Sequence, residues 1–161
     1  MKELVPETVH SGRFAAFGEL LNDTSGTPLA DSEEMTYWGG ITKFDFPPKL
    51  SSGFLKSRHT NTVITQLERH TETAEILVAL SSDVVICMAT PDSRVGSEDV
   101  ELGAFLMRQG EAIRMYAGTW HWLPVPVDTS EAHFLVLFAD KTESDDLEVV
   151  ELSEPVKVKK P

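Results

Sequence analysis

Glu68, His70, Glu75 and His121 are the residues of this sequence whose types and spacing could do chemistry together. Glu68 and His70 sit two apart in Gln66–His70 (Q-L-E-R-H), alternating with Leu67 and Arg69, so a strand would put both on one face. Glu75 follows at the head of the apolar run Ile76–Leu80. His121 belongs to a second patch, Tyr116–His121 (Y-A-G-T-W-H), expected to come from the partner sheet. Imidazole with carboxylate suits a divalent first-row ion such as nickel, manganese, iron or zinc, and these four residues are the expected ligands. Without an ion, His70 or His121 would act as general base with Glu68 orienting it, and Tyr116 would donate to a developing oxyanion. Should the ligand be a small anion, the candidate cations are Arg58, Lys56 and Arg114, in that order. Arg69 is out of phase and is expected outside the pocket or at a subunit interface. Trp120 and Trp122 flank His121, Trp120 expected in the core and Trp122 as a wall of the cavity.

Strands must position these groups. Val63, Thr65 and Leu67 alternate with Thr62, Ile64 and Gln66, which predicts a strand over 60–68. Glu75–Leu80 and Val84–Ala89 read as two apolar strands, with Ser81-Ser82-Asp83 as a hairpin signal between them. Leu102–Arg108, Ala112–Tyr116, Trp120–Val127 and Ala132–Ala139 read as further strands, and Glu148–Leu152 as a short edge strand. Before them, Ser11 could cap a short helix carrying Phe14, Phe17, Leu20 and Leu21, and Thr36–Phe46 reads as a strand pair broken at Gly39-Gly40. The expected layout is one all-β domain over 1–161: a helical and loop lead-in (1–35), a barrel (36–152) and a frayed tail (153–161).

Composition narrows the function. The 161 residues carry a net charge of −12, which argues against nucleic acid or an anionic membrane as partner, since either would want a basic patch. No apolar run approaches the ~20 residues of a membrane span, and no secretory h-region opens the chain. Cys87 is the single cysteine; its setting, V-V-I-C-M-A, reads as a buried strand in a reducing cytoplasm.

The two patches resemble the two cupin motifs, with glutamate in place of the first histidine and tyrosine in the proline position of the second. More closely, the chain resembles the ureidoglycolate lyase family. Phe14–Glu19 (F-A-A-F-G-E), Leu67–His70 (L-E-R-H), Gly110-Glu111, Tyr116 and Trp120-His121 carry the resemblance, over roughly residues 14–152. Trp122 stands where the family has a second consecutive histidine, Ala117 replaces a histidine, and Glu75 stands where the family often has glutamine. The resemblance implies a cupin-like double-stranded β-helix, or jelly-roll barrel, with a short N-terminal helix. It also implies a homodimer that covers exposed edges, for which Leu102–Arg108 and Tyr37–Phe46 are candidates. Its activity splits ureidoglycolate into glyoxylate and urea, a step of allantoin degradation in purine catabolism; a diverged relative would act on a similar small polar acid. The alternatives are a non-catalytic small-molecule-binding or sensory cupin, and a different metal-dependent cupin enzyme.

Overall fold

Short runs in which apolar and polar residues alternate bury one face each, and a chain built of them closes into sheets. The computed structural model describes residues 1–45 and 47–161. It begins with β1 (Lys2–Leu4), β2 (Glu7–Thr8), a 3-10 turn at Gly12–Ala16 and β3 (Gly18–Leu20), followed by a small pair, β4 (Ala30–Asp31) and β5 (Thr36–Tyr37). The barrel strands are β6 (Leu50–Ser57), β7 (Val63–Arg69), β8 (Glu75–Ala79), β9 (Val84–Ala89), β10 (Gly103–Met107), β11 (Ala112–Met115), β12 (Trp120–His121), β13 (Val125–Pro126) and β14 (Ala132–Ala139). A single helical turn, α1 (Thr142–Asp145), leads into the long last strand, β15 (Glu148–Val158).

Two sheets form the walls. The larger runs β1-β15-β7-β12-β9-β10-β2, with β13 also on β9; the smaller runs β3-β11-β8-β14-β6. Leu77 and Ala79 of β8, Phe134, Val136 and Phe138 of β14 and Val84, Ile86 and Met88 of β9 share the core between them. The intervening residues of β9, Val85, Cys87 and Ala89, join Leu67, Trp120 and Val156 in a second apolar cluster on the other face. Each large side chain buried this way contributes about 1.5–3 kcal/mol. β9 is therefore apolar at every position because both its faces are covered. This is the all-β, cupin-like barrel that the sequence leads one to expect.

Several local expectations are corrected. The N-terminal helix is one 3-10 turn, Ser11 makes no side-chain cap, and Leu20 lies in β3. Much of the lead-in is strand, with β1, β2 and β3 paired into the two sheets. Ser81–Asp83 makes no hairpin: β8 pairs with β11 and β14, whereas β9 pairs with β10, β12 and β13, so this turn carries the chain from one sheet to the other. Of the strand pair expected at 36–46, Thr36 and Tyr37 pair with Ala30 and Asp31, and Phe46 lies outside the described residues. β10 offers no open edge, since β9 and β2 flank it and all five of its residues are buried. The tail does not fray. Val156 and Val158 are buried, and the strand they belong to pairs with β1 and β7.

Candidate metal centre

Glu68 lies on β7 directly opposite His121 on β12, and His121 lies opposite Met88 on β9, so all three side chains share the inner face of the larger sheet. His121 therefore comes from the same sheet as Glu68 and not from the partner sheet. The facing wall supplies Glu75, which sits opposite Met115 in the β8–β11 ladder. His70 caps the end of β7, on the turn that crosses to β8. The four expected ligands thus meet from two walls and one corner.

A glycine holds the two motifs together. The Gly118 amide donates to the His70 carbonyl at 2.6 Å, and the Thr119 amide closes a turn on the Tyr116 carbonyl at 3.0 Å. Gly118 has φ +83, and a Cβ there would stand 3.2 Å from Pro91 Cβ, so any other residue would be strained and crowded.

Both imidazoles are oriented the same way. His70 Nδ1 donates to the Asp146 carbonyl at 2.6 Å, and His121 Nδ1 donates to the Thr119 carbonyl at 3.0 Å. A carbonyl only accepts, so each Nδ1 carries a proton and each Nε2 is turned into the barrel. There Glu75 Oε2 stands 3.3 Å from His70 Nε2 and 3.5 Å from His121 Nε2, while Glu68 Oε1 is 3.8 Å from His121 Nε2. The rings are 5.7 Å apart, and Phe138 lies 5.8 Å from the His70 ring. One ligand atom from each of Glu68, His70 and His121 falls within 4.8 Å of the others.

Electrostatics follow from this packing. Burial disfavours charge on His70, but the Glu75 carboxylate, the Asp146 carbonyl and Glu68 outweigh it and raise the ring to about 9. Burial likewise opposes charge on Glu75, and His121 and His70 overcome it, holding the carboxyl down at about 2. His121 is raised against its burial by Glu75, the Thr119 carbonyl and Glu68. Two imidazoles around a buried carboxylate share protons when empty-handed and have a lone pair each to offer a cation once deprotonated. Locking Nδ1 on a carbonyl, with Nε2 free, is the usual support of a ligating histidine. The donor set fits a divalent first-row ion.

The remaining expectations divide. A cavity of about 320 Å³ opens over Glu68, His70 and Glu75, walled by Leu55, Leu123, Val136 and Phe138, with Glu143 and Leu147 among its lining. A smaller recess behind it reaches His121 and is edged by Trp122, which also packs on the second apolar cluster beside buried Trp120. Tyr116 and Arg114 are not brought to this cavity. Met115 points to the recess, so Arg114 and Tyr116 on either side of it point the other way and line a separate cavity of about 400 Å³. There Arg114 pairs with Glu19 at 2.9 Å and stacks on Phe44. Arg58 is exposed and paired with Glu131 at 3.0 Å, and Lys56 points outward because Leu55 points in. Arg69, as expected, lies outside the pocket, on Glu148 and over Trp120. The sequence reading missed Asp146, whose acidic surroundings gave no sign of its contact with His70.

The family model described as ureidoglycolate lyase matches residues 1–159. The chain belongs to this family. The resemblance read from Leu67–His70 and Trp120-His121 is thereby shown, and the family is one of lyases. A comparison with curated proteins returns no match. Among solved structures, the chain is similar to a mutant of the 3,4-ketoisomerase from Thermoanaerobacterium thermosaccharolyticum in complex with TDP-4-keto-6-deoxyglucose, at 16% identity over 82% of this chain and 83% of that one, with a TM-score of 0.48. It is also similar to vicilin from Solanum lycopersicum (19% identity, 64% of this chain and 26% of that, TM-score 0.43) and to a mutant of Bacillus subtilis oxalate decarboxylase (16%, 65% and 24%, TM-score 0.44). The chain spans about a quarter of the length of these last two. Among the described residues no helix is long and apolar enough to cross a membrane.

Proposed function

We propose that this family member is a ureidoglycolate lyase that works with a divalent metal ion, cleaving ureidoglycolate to glyoxylate and urea. The observation that carries this reading is the convergence of His70 and His121 Nε2 with the Glu68 and Glu75 carboxylates at the base of one cavity. Glu68, His70 and His121 would hold the ion, with Glu75 against both rings. Nickel, manganese, iron and zinc all accept such a set. When bound, the ion supplies Lewis-acid help, worth several kcal/mol, in lowering the pKa of the substrate hydroxyl and offsetting its carboxylate.

The side chains have their own work. Glu68 is the more open of the two carboxylates, 25% exposed against 11% for Glu75. A carboxylate has two oxygens, and Glu68 lines the cavity, so it can accept a proton from a bound substrate. Glu68 takes the hydroxyl proton as the C–N bond breaks, the carbonyl of glyoxylate forms, and the same proton passes to the departing urea nitrogen. Leu55, Leu123, Val136 and Phe138 keep that transfer away from bulk water. Glu68→Gln should lower turnover by ~10²–10⁴-fold. The test follows glyoxylate release from ureidoglycolate; wild-type rates in the variant would remove Glu68 from the mechanism.

A diverged relative acting on another small polar substrate has one observation in its favour. No lysine or arginine is among the described residues that line the cavity, and Trp122 stands at its recess. A small-molecule substrate suits the cavity in either case. We place the enzyme in the cytoplasm, where buried Cys87 stays reduced, and infer a homodimer. Phe54 and Leu135, 61% and 37% exposed and paired across β6 and β14, form an apolar outer face that a second copy would cover. Light scattering returning the mass of one chain would end the dimer.

A further inference from the structure

We propose that Asp146 is the positioning residue of this centre, fixing where His70 Nε2 points. The inference rests on the reading of His70 as a working member of the site. One residue grips the imidazole and the turn that carries it. The Asp146 carbonyl accepts from His70 Nδ1 at 2.6 Å. Its carboxylate accepts from the next two amides: Oδ1 from Thr71 N at 2.8 Å and from the Thr71 hydroxyl at 3.1 Å, and Oδ2 from Glu72 N at 2.8 Å.

Aspartate suits this place for a chemical reason. Two adjacent N–H donors need two acceptor oxygens on a short stem, which asparagine supplies only in half and alanine not at all. With the turn released, His70 would be free to swing, and its ring would lose the carbonyl that sets its tautomer. The segment bearing Asp146 is itself tied down. The Asp146 amide donates to Thr142 O at 3.0 Å, the Thr142 hydroxyl to Ala139 O at 2.6 Å, and the Asp140 amide to Lys49 O at 3.0 Å. Two other residues of that segment, Glu143 and Leu147, line the cavity mouth. The segment therefore sets the His70 ring and shapes the entrance together.

The test is titration of Co²⁺ into the full-length, metal-free chain, followed by its visible absorption. Asp83 gives the control: it too holds a turn, accepting from Gln109 N at 2.8 Å and Arg108 Nη1 at 2.7 Å, but at the far end of β8 from Glu75. Asp146→Ala should weaken Co²⁺ binding by ~10–100-fold, as losing an outer partner of a ligand does, and Asp146→Asn should recover part of that. Asp83→Ala should lower the thermal midpoint and leave Co²⁺ affinity and spectrum unchanged. Wild-type affinity in Asp146→Ala, or equal weakening in Asp83→Ala, overturns the proposal; should Asp146→Ala not fold, unchanged affinity in Asp146→Asn does so. A wild-type chain that takes up no Co²⁺ refutes the metal centre, and with it this inference.

Discussion

His70, Glu75 and His121 are a buried charge cluster whose protons would compete with the proposed metal ion. Without metal, the raised pKa values of the two histidines stabilise the fold below about pH 6.5, and that contribution is lost as pH rises through about 9, the value for His70. Glu75, lowered to about 2, contributes above its ordinary 4.5 and loses that contribution as pH falls toward 2. Metal needs the imidazoles deprotonated, so affinity should climb between about pH 6 and 9 as protons are displaced. Thermal shifts with and without Zn²⁺ across that range should show an ion-induced gain that grows with pH; a gain constant over the range would mean the histidines do not bind the ion. At this scale the sequence was readable where spacing carried the information. Glu68, His70, Glu75 and His121 could be picked out because period-two alternation and the turn glycine at 118 tie them together. Asp146 could not, since its grip on His70 spans 76 residues and leaves no local pattern. Arg58, Lys56, Arg114 and Tyr116 were misplaced because a basic or phenolic side chain near a motif says nothing of which sheet face it takes.

Strands were legible one at a time and their partners were not. β14 shows why the first holds: Phe134, Val136 and Phe138 are buried, and His133, Leu135 and Leu137 between them are less so. β8 and β9 show why the second fails. Both are apolar nearly throughout, so periodicity could not say that the turn between them changes sheet. The tail misled through its lysines and prolines. Val156 and Val158 alternate with lysines as a half-buried strand should, and Pro155 falls in the stretch where the β15–β7 register shifts, so no ladder bond misses its absent N–H. β15 is thus a structural strand that also leads out of the Asp146 segment. Ending the chain after Leu152 should remove the burial of both valines, at ~1.5–3 kcal/mol each, and strip β1 of its partner. Urea unfolding should show a midpoint well below that of the full chain. An unchanged midpoint would restore the frayed tail.

As a whole, the molecule is a two-sheet barrel that gathers Glu68, His70, Glu75 and His121 between its walls. Apolar packing closes the core beside it, with Phe14 and Phe17 against Phe105 at ring-centroid distances of 5.2 and 4.8 Å, and the Phe17 carbonyl accepting from the Thr119 hydroxyl at 2.9 Å. The barrel thus holds rigid a cluster that would be costly to bury without its own internal partners. Family membership over residues 1–159 gives this cluster its chemical context, and the cavity above it gives a substrate room. The most direct measurement is elemental analysis of the purified wild-type chain beside His121→Ala. About one divalent first-row ion per wild-type chain is expected, with loss of most of it in the variant, which should still unfold cooperatively. A wild-type chain purified and reloaded without retaining any such ion, or a variant that retains it in full, would rule out a metal centre at these residues.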